Sequence, residues 1–211
     1  MKIFALLLLL LASYVTGAER IDIAKMDNIS IEEWSVEEFA GQTDYRIVMV
    51  DGERVLQAIS KASASGLYRK QRIDLRETPF LNWRWRVDQP LNPQDEQNKA
   101  GDDYSARIYA LVSGGIAFWR TKALNYVWSS SQPVGTQWDN AYTSQAKMIA
   151  VESGNDSVGE WRLYKRNVAD DMYQLFGEHV THIDGIAIMT DTDNSQGQAK
   201  AYYGDIYFTR E

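Results

Sequence analysis

A chain of 211 residues with 29 acidic against 22 basic side chains, and no contiguous basic run, is a poor match for nucleic acid, whose phosphates demand clustered cations. The absence of cysteine excludes disulfides, thiolate metal sites and a lipid-modified cysteine. The 7 Trp and 12 Tyr supply large flat surfaces for a core or for stacking on a sugar, and composition alone does not choose between the two.

The chain opens on MKIFALLLLLLASYVTGA. Lys2 gives a positive start, Ile3 to Ala12 an apolar run, and Thr16-Gly17-Ala18 a small-residue cleavage site. The apolar run falls short of the roughly 20 residues that a membrane span needs. Residues 1–18 therefore read as an export signal without stable membrane insertion after cleavage, and the expected compartment is the periplasm. Residues 19–211 are expected to form a single domain. A domain of that size buries about 70% of its unfolded surface, enough to hold without disulfides.

Alternation with a period of two then dominates. YRIVMVDGERVLQAIS (45–60) predicts two strands around an Asp51-Gly52 turn, a strong hairpin signal. SGLYRKQRIDL (65–75) reads as the next strand. In PFLNWRWRVD (79–88), Leu81, Trp83, Trp85 and Val87 share one face, and Asn82, Arg84, Arg86 and Asp88 share the other. A polar loop covers 89–102, and strands follow over 104–113, 123–130, 142–151 and 160–168. One short helix is predicted near 168–177: Val168, Met172, Leu175 and Phe176 fall at helical spacing, Asn167 can cap the start and Gly177 the end. Strands over 183–191 and 201–208 close the order. About nine strands and one helix point to a mainly β fold, a two-sheet antiparallel sandwich of jelly-roll type.

The segments FLNWRWRVD, KAGDDYSARIYALV, LNYVWSS, WRLYKRNVADDMYQLFGE and IAIMTDTDNSQGQAKAYYGDIYF resemble the bacterial exported family catalogued as domain of unknown function number 3047. The resemblance runs from about Trp34 to Phe208 and implies export and a β-sandwich, with no activity, substrate or catalytic residue to carry over. The closing YYGDIYF is more distantly similar to the last strand of jelly-roll carbohydrate-binding modules, a likeness of fold alone.

Charge placed inside strands singles out Arg84, Arg86 and Arg107, because an arginine fork suits carboxylate or phosphate. If their faces curve inward, the three line one hollow fit for an anionic glycan or other envelope polymer; if outward, they are ordinary solvated charge. Tyr109 shares the Arg107 face, and Tyr126 and Trp128 share a face of their own strand, where they would offer stacking surfaces. Asp102 or Asp103 is expected to pair with one of these arginines. The same two, with Asp191 or Asp193, are also the carboxylates that a polysaccharide hydrolase or lyase would use.

MTDTDNSQG (189–197) sets Asp191, Asp193 and Asn194 at a spacing that a calcium loop or a local Asx-type turn would both use. It departs from the helix-loop-helix calcium pattern, since Gly197 falls one place late and Tyr202 stands where a bidentate Glu belongs. His179 and His182 read as a loop leading into a strand, with no third metal ligand beside them. No nucleophile elbow, phosphate-binding glycine loop or Cys/His dyad is present, which weighs against an enzyme. The sequence therefore predicts a non-catalytic binding protein with no cofactor. A hydrolase, and an interaction subunit docking through a sheet edge, are the alternatives.

Overall fold

The computed structural model describes residues 20–211, so the expected export signal lies outside the described residues. The strands are β1 (Arg20–Ala24), β2 (Ser35–Ala40), β3 (Asp44–Val50), β4 (Glu53–Lys61), β5 (Ala64–Asp74), β6 (Phe80–Gln89), β7 (Arg107–Val112), β8 (Lys122–Ser129), β9 (Gln137–Asp139), β10 (Ala146–Ser153), β11 (Arg162–Asn167), β12 (His182–Met189) and β13 (Gln198–Thr209). One helix, α1 (Val168–Phe176), lies between β11 and β12. None of the helices described is long and apolar enough to cross a membrane.

Two sheets face each other. The first runs β11-β6-β13-β4-β3, with β1 also paired to β13; the second runs β2-β5-β12-β7-β8-β10-β9. The inward faces meet in one core. Leu81, Trp83, Trp85 and Val87 of β6, with Tyr203, Ile206 and Phe208 of β13, pack against Ile108 of β7, Tyr126 and Trp128 of β8 and Ile186 and Ile188 of β12. Trp83 and Trp85 meet edge to face at 5.6 Å, the favoured geometry of an aromatic pair. This is the jelly-roll sandwich that the alternation predicts. Asp51 and Gly52 take the positive φ values, 53° and 83°, that a two-residue hairpin turn demands.

The helix has the expected caps. The Asn167 side chain accepts from the N–H groups of Ala169 and Asp170, and Gly177 ends the helix at φ 69°. Val168 and Met172 enter the core. Asp171, buried one turn in, accepts from Tyr126 Oη at 2.7 Å and from the Arg166 guanidinium at 3.0 and 2.5 Å. That cluster fastens the helix to the second sheet through β8 and to the first through β11. His182 opens β12, and His179 stacks on Tyr173 with ring centroids 4.1 Å apart.

Two features differ from expectation. Strands β1, β2 and β9 lie outside the alternating segments, because two of them are short and β2 is exposed along its whole length. The second sheet is also not purely antiparallel: β10 runs parallel to β8, since residues 130–145 carry the chain back before β10 begins.

Candidate functional site

The outward face of the second sheet carries the site. Alternation turns Ile108 and Ala110 inward and Arg107 and Tyr109 outward. In register, Arg107 sits opposite Met189 of β12 and Val127 of β8, and Tyr109 sits opposite Ala187 and Asn125. Arg107, Tyr109, Asn125 and Met189 thus tile the middle of the sheet, as the floor of a cleft of about 420 Å³. Phe39 stands on one side, on the outermost strand β2, where a bulge between Glu38 and Ala40 interrupts the pairing. Asn140, Tyr142 and Thr143, from the turn between β9 and β10, stand on the other side. Asp102, Asp191, Asp193 and Asn194 also line the cleft. Phe39 is 72% exposed and Tyr142 is 57% exposed, so two aromatic faces remain open to a ligand.

The floor is polar and buried. Arg107 Nη2 donates to Asp191 Oδ2 at 2.7 Å and contacts Met189 Sδ at 3.1 Å. Its guanidinium lies 5.0 Å from the Tyr104 ring centroid and 5.2 Å from that of Tyr109. Its buried Nε has no hydrogen-bond partner. Asn125 Nδ2 donates to the carbonyls of Ala123 and Lys147, which only accept and so fix the amide's orientation. That leaves Asn125 Oδ1 buried without a donor. Unsatisfied buried groups are rare in folded proteins; among the described residues the others are the Nε1 groups of Trp34, Trp83, Trp85 and Trp138, none of which lines the cleft.

Carboxylates crowd one end. One oxygen each of Asp103, Asp191 and Asp193 lies within 4.8 Å of the others, a grouping able to hold a metal ion. Asp103 accepts from the backbone N–H of Asn194 at 3.1 Å and of Ser195 at 2.6 Å, which pins the 191–195 loop. Asp102 accepts from Asn140 Nδ2 at 2.9 Å and from Tyr104 Oη at 3.1 Å. Of these four acids only Asp191 bonds the Arg107 guanidinium. Arg107 is held above its already high value: burial opposes its charge most strongly, but Asp191, Tyr109, Asp102 and Tyr104 together more than offset it. Asp191 is raised well above the aspartate range by burial, with Arg107 pulling it down and Asp103, Asp102 and Asp193 pushing it up. Asp193 is raised by burial and then by Asp103.

A pH dependence follows. Asp191, Asp193 and the buried Glu96 hold protons to higher pH in the folded than in the unfolded chain, from 3.8 upward for the aspartates and 4.5 for the glutamate. Across that window the folded state binds more protons, so stability falls as pH rises through the raised values. Urea midpoints measured between about pH 4 and pH 7 should fall with pH from these groups, and Asp193→Asn should flatten the profile. An identical slope in the variant would contradict this account.

The expected site residues divide: Arg107, Tyr109, Asp102, Asp191, Asp193 and Asn194 meet at the cleft, and the others do not line it. Arg84 and Arg86 lie on the outward face of the first sheet, on the far side of the core from Arg107, so the three form no common hollow. Arg84 pairs with Glu53, lies over the Trp161 ring, and takes the space that a Cβ at Gly204 would fill. Arg86 pairs with Asp88 at 2.6 Å and Asp51 at 3.4 Å. Trp128 is in the core, its Nε1 donating to Gly154 O at 2.9 Å, and Tyr126 is buried beside it, so neither offers a stacking face. Asp102 and Asp103 precede β7 and neither bonds an arginine; Asp191, beyond β12, is the partner of Arg107. The calcium loop is altered as well: Asn194 Oδ1 faces Tyr142 Oη at 3.0 Å, and Asp103 takes its place in the trio, beside a guanidinium. Phe39, Asn125, Asn140, Tyr142 and Met189 are absent from the sequence-based site. Asn125 was visible as a polar residue between Leu124 and Tyr126, facing the way of Arg107 and Tyr109.

Residues 32–207 match the model of a family described as "Protein of unknown function (DUF3047)". No curated protein matches the chain. Among solved structures, the chain is similar to family 29 carbohydrate binding modules. One, complexed with cellulohexaose, is 9% identical with a TM-score of 0.42, the match covering 92% of this chain and 93% of that one. Another, complexed with mannohexaose, is 8% identical with a TM-score of 0.42, covering 92% and 94%.

Proposed function

The chain belongs to the DUF3047 family, whose description names no activity, and we propose that its cleft on the second sheet binds a carbohydrate chain without cleaving it. One observation carries this reading: exposed aromatic faces at Phe39 and Tyr142 stand over a buried polar floor that leaves Arg107 Nε and Asn125 Oδ1 unpaired. A pyranose has an apolar face for an aromatic ring and a rim of hydroxyls that both donate and accept. A small number of placed polar groups in a cleft of this size fixes orientation. The protein acts in this reading as an exported binding module of the cell envelope.

The carboxylates argue for binding rather than hydrolysis. Both oxygens of Asp103 are engaged by backbone N–H groups, and Asp191 is bonded to Arg107. Affinity electrophoresis through gels containing soluble glycans tests the proposal. At least one glycan should retard the protein, and Phe39→Ala and Tyr142→Ala should each weaken binding by about tenfold or more, as aromatic anchors do. Unretarded migration in every glycan would overturn it. Turnover of the bound glycan, abolished by Asp193→Asn, would replace it with the hydrolase.

A further inference from the structure

The charged side chains lining the cleft are mostly acidic. Asp102, Asp191 and Asp193 line it against one cation, Arg107, which already bonds Asp191. Lys99 Nζ lies 5.0 Å from the Tyr142 ring, and Lys99 does not line the cleft. The floor adds an independent sign. Asn125 is 1% exposed, and its unpaired Oδ1 awaits a donor. A carboxylate-bearing sugar would set its charge against these acids, whereas a sugar carrying a protonated amine complements them, and a ring hydroxyl of that sugar can donate to Asn125 Oδ1.

We propose that the cleft recognises a glycan whose amino sugars carry free, protonated amines, with the amine directed to the Asp102–Asp191–Asp193 end and a ring hydroxyl donating to Asn125 Oδ1. This rests on the carbohydrate reading above and names its ligand class. It also reverses the expectation of an anionic glycan, which depended on three arginines sharing a surface. Arg107 acts here as a positioning residue that holds Asp191 in place.

Calorimetric titration with hexasaccharides separates the possibilities. The probes are glucosamine hexasaccharide, its fully N-acetylated counterpart and hexagalacturonate, at about pH 6, where the sugar amines are charged and the uronate carboxyls ionised. The glucosamine hexasaccharide should bind about tenfold or more tightly than the N-acetylated one, the worth of one charge-assisted hydrogen bond. The preference should shrink as salt rises. In Asp193→Asn and in Asp102→Asn the ratio of the two affinities should fall toward one. Two variants are used so that a folding defect in either leaves the test intact. Equal or weaker binding of the amine-bearing sugar overturns the inference and leaves the carbohydrate reading standing. Calcium-dependent binding of hexagalacturonate also overturns it, since the carboxylates would then hold a bridging ion. Binding of none of the three, with retardation in a glycan gel retained, overturns it too; failure of both measurements removes the reading on which it rests.

Discussion

Replacing Arg107 by Ala should cost about 3–5 kcal/mol of stability at neutral pH, the usual result of stranding one partner of a buried ion pair. Arg107 and Asp191 are both buried, and Asp103, Asp102 and Asp193 crowd the carboxylate that would be left behind. In a domain of this size the loss is a fall of about 10 °C in melting temperature. Two controls give the result its meaning. The loss should shrink as pH falls, because burial and the neighbouring carboxylates, no longer opposed by Arg107, favour the protonated form of the stranded Asp191. The double variant Arg107→Met with Asp191→Leu should recover most of the loss, because apolar groups of similar volume replace a buried pair at little cost. Urea unfolding of the unmodified protein and the two variants measures this; a single-variant loss below about 1 kcal/mol would show that solvent already screens the pair.

Asp171→Ala should be comparably damaging, by about 3–5 kcal/mol, for a different reason. The carboxylate joins three elements: it belongs to α1, accepts from Tyr126 of β8 and is gripped at both oxygens by Arg166 of β11. It also sits in the first helical turn, where negative charge is favoured by the helix dipole. Removing it leaves the Tyr126 hydroxyl buried without an acceptor and Arg166 without its main partner. Tyr126→Phe alone should cost only about 1 kcal/mol, the net worth of one hydrogen bond. Hydrogen exchange over residues 168–176 should rise sharply in Asp171→Ala and little in Tyr126→Phe. Equal protection in both would show that Val168 and Met172 alone hold the helix.

The features legible from sequence are those whose causes are local. The hairpin at Asp51-Gly52, the helix caps at Asn167 and Gly177, and the apolar face of Leu81, Trp83, Trp85 and Val87 each follow from residues within a few positions of one another. The site is not local. Arg84 and Arg107 show the same pattern, charge opposite an apolar strand face, yet they lie on opposite outer surfaces of the sandwich. Alternation tells which side chains leave the core but not which sheet a strand joins. Arg107 finds Asp191 84 residues away, and no spacing signals that encounter. Phe39 was hidden for another reason: β2 buries nothing, so it leaves no alternating imprint.

The strand order also bears on how the molecule is made. The middle of the first sheet is β13, which pairs with β6 on one side and with β4 and β1 on the other. A ribosome delivers that spine after every other described strand. Until residues 198–209 emerge, β4 and β6 have no neighbour between them. The first sheet is completed only by the described strand furthest along the chain, so its closure waits on contacts of long sequence separation, which slows folding.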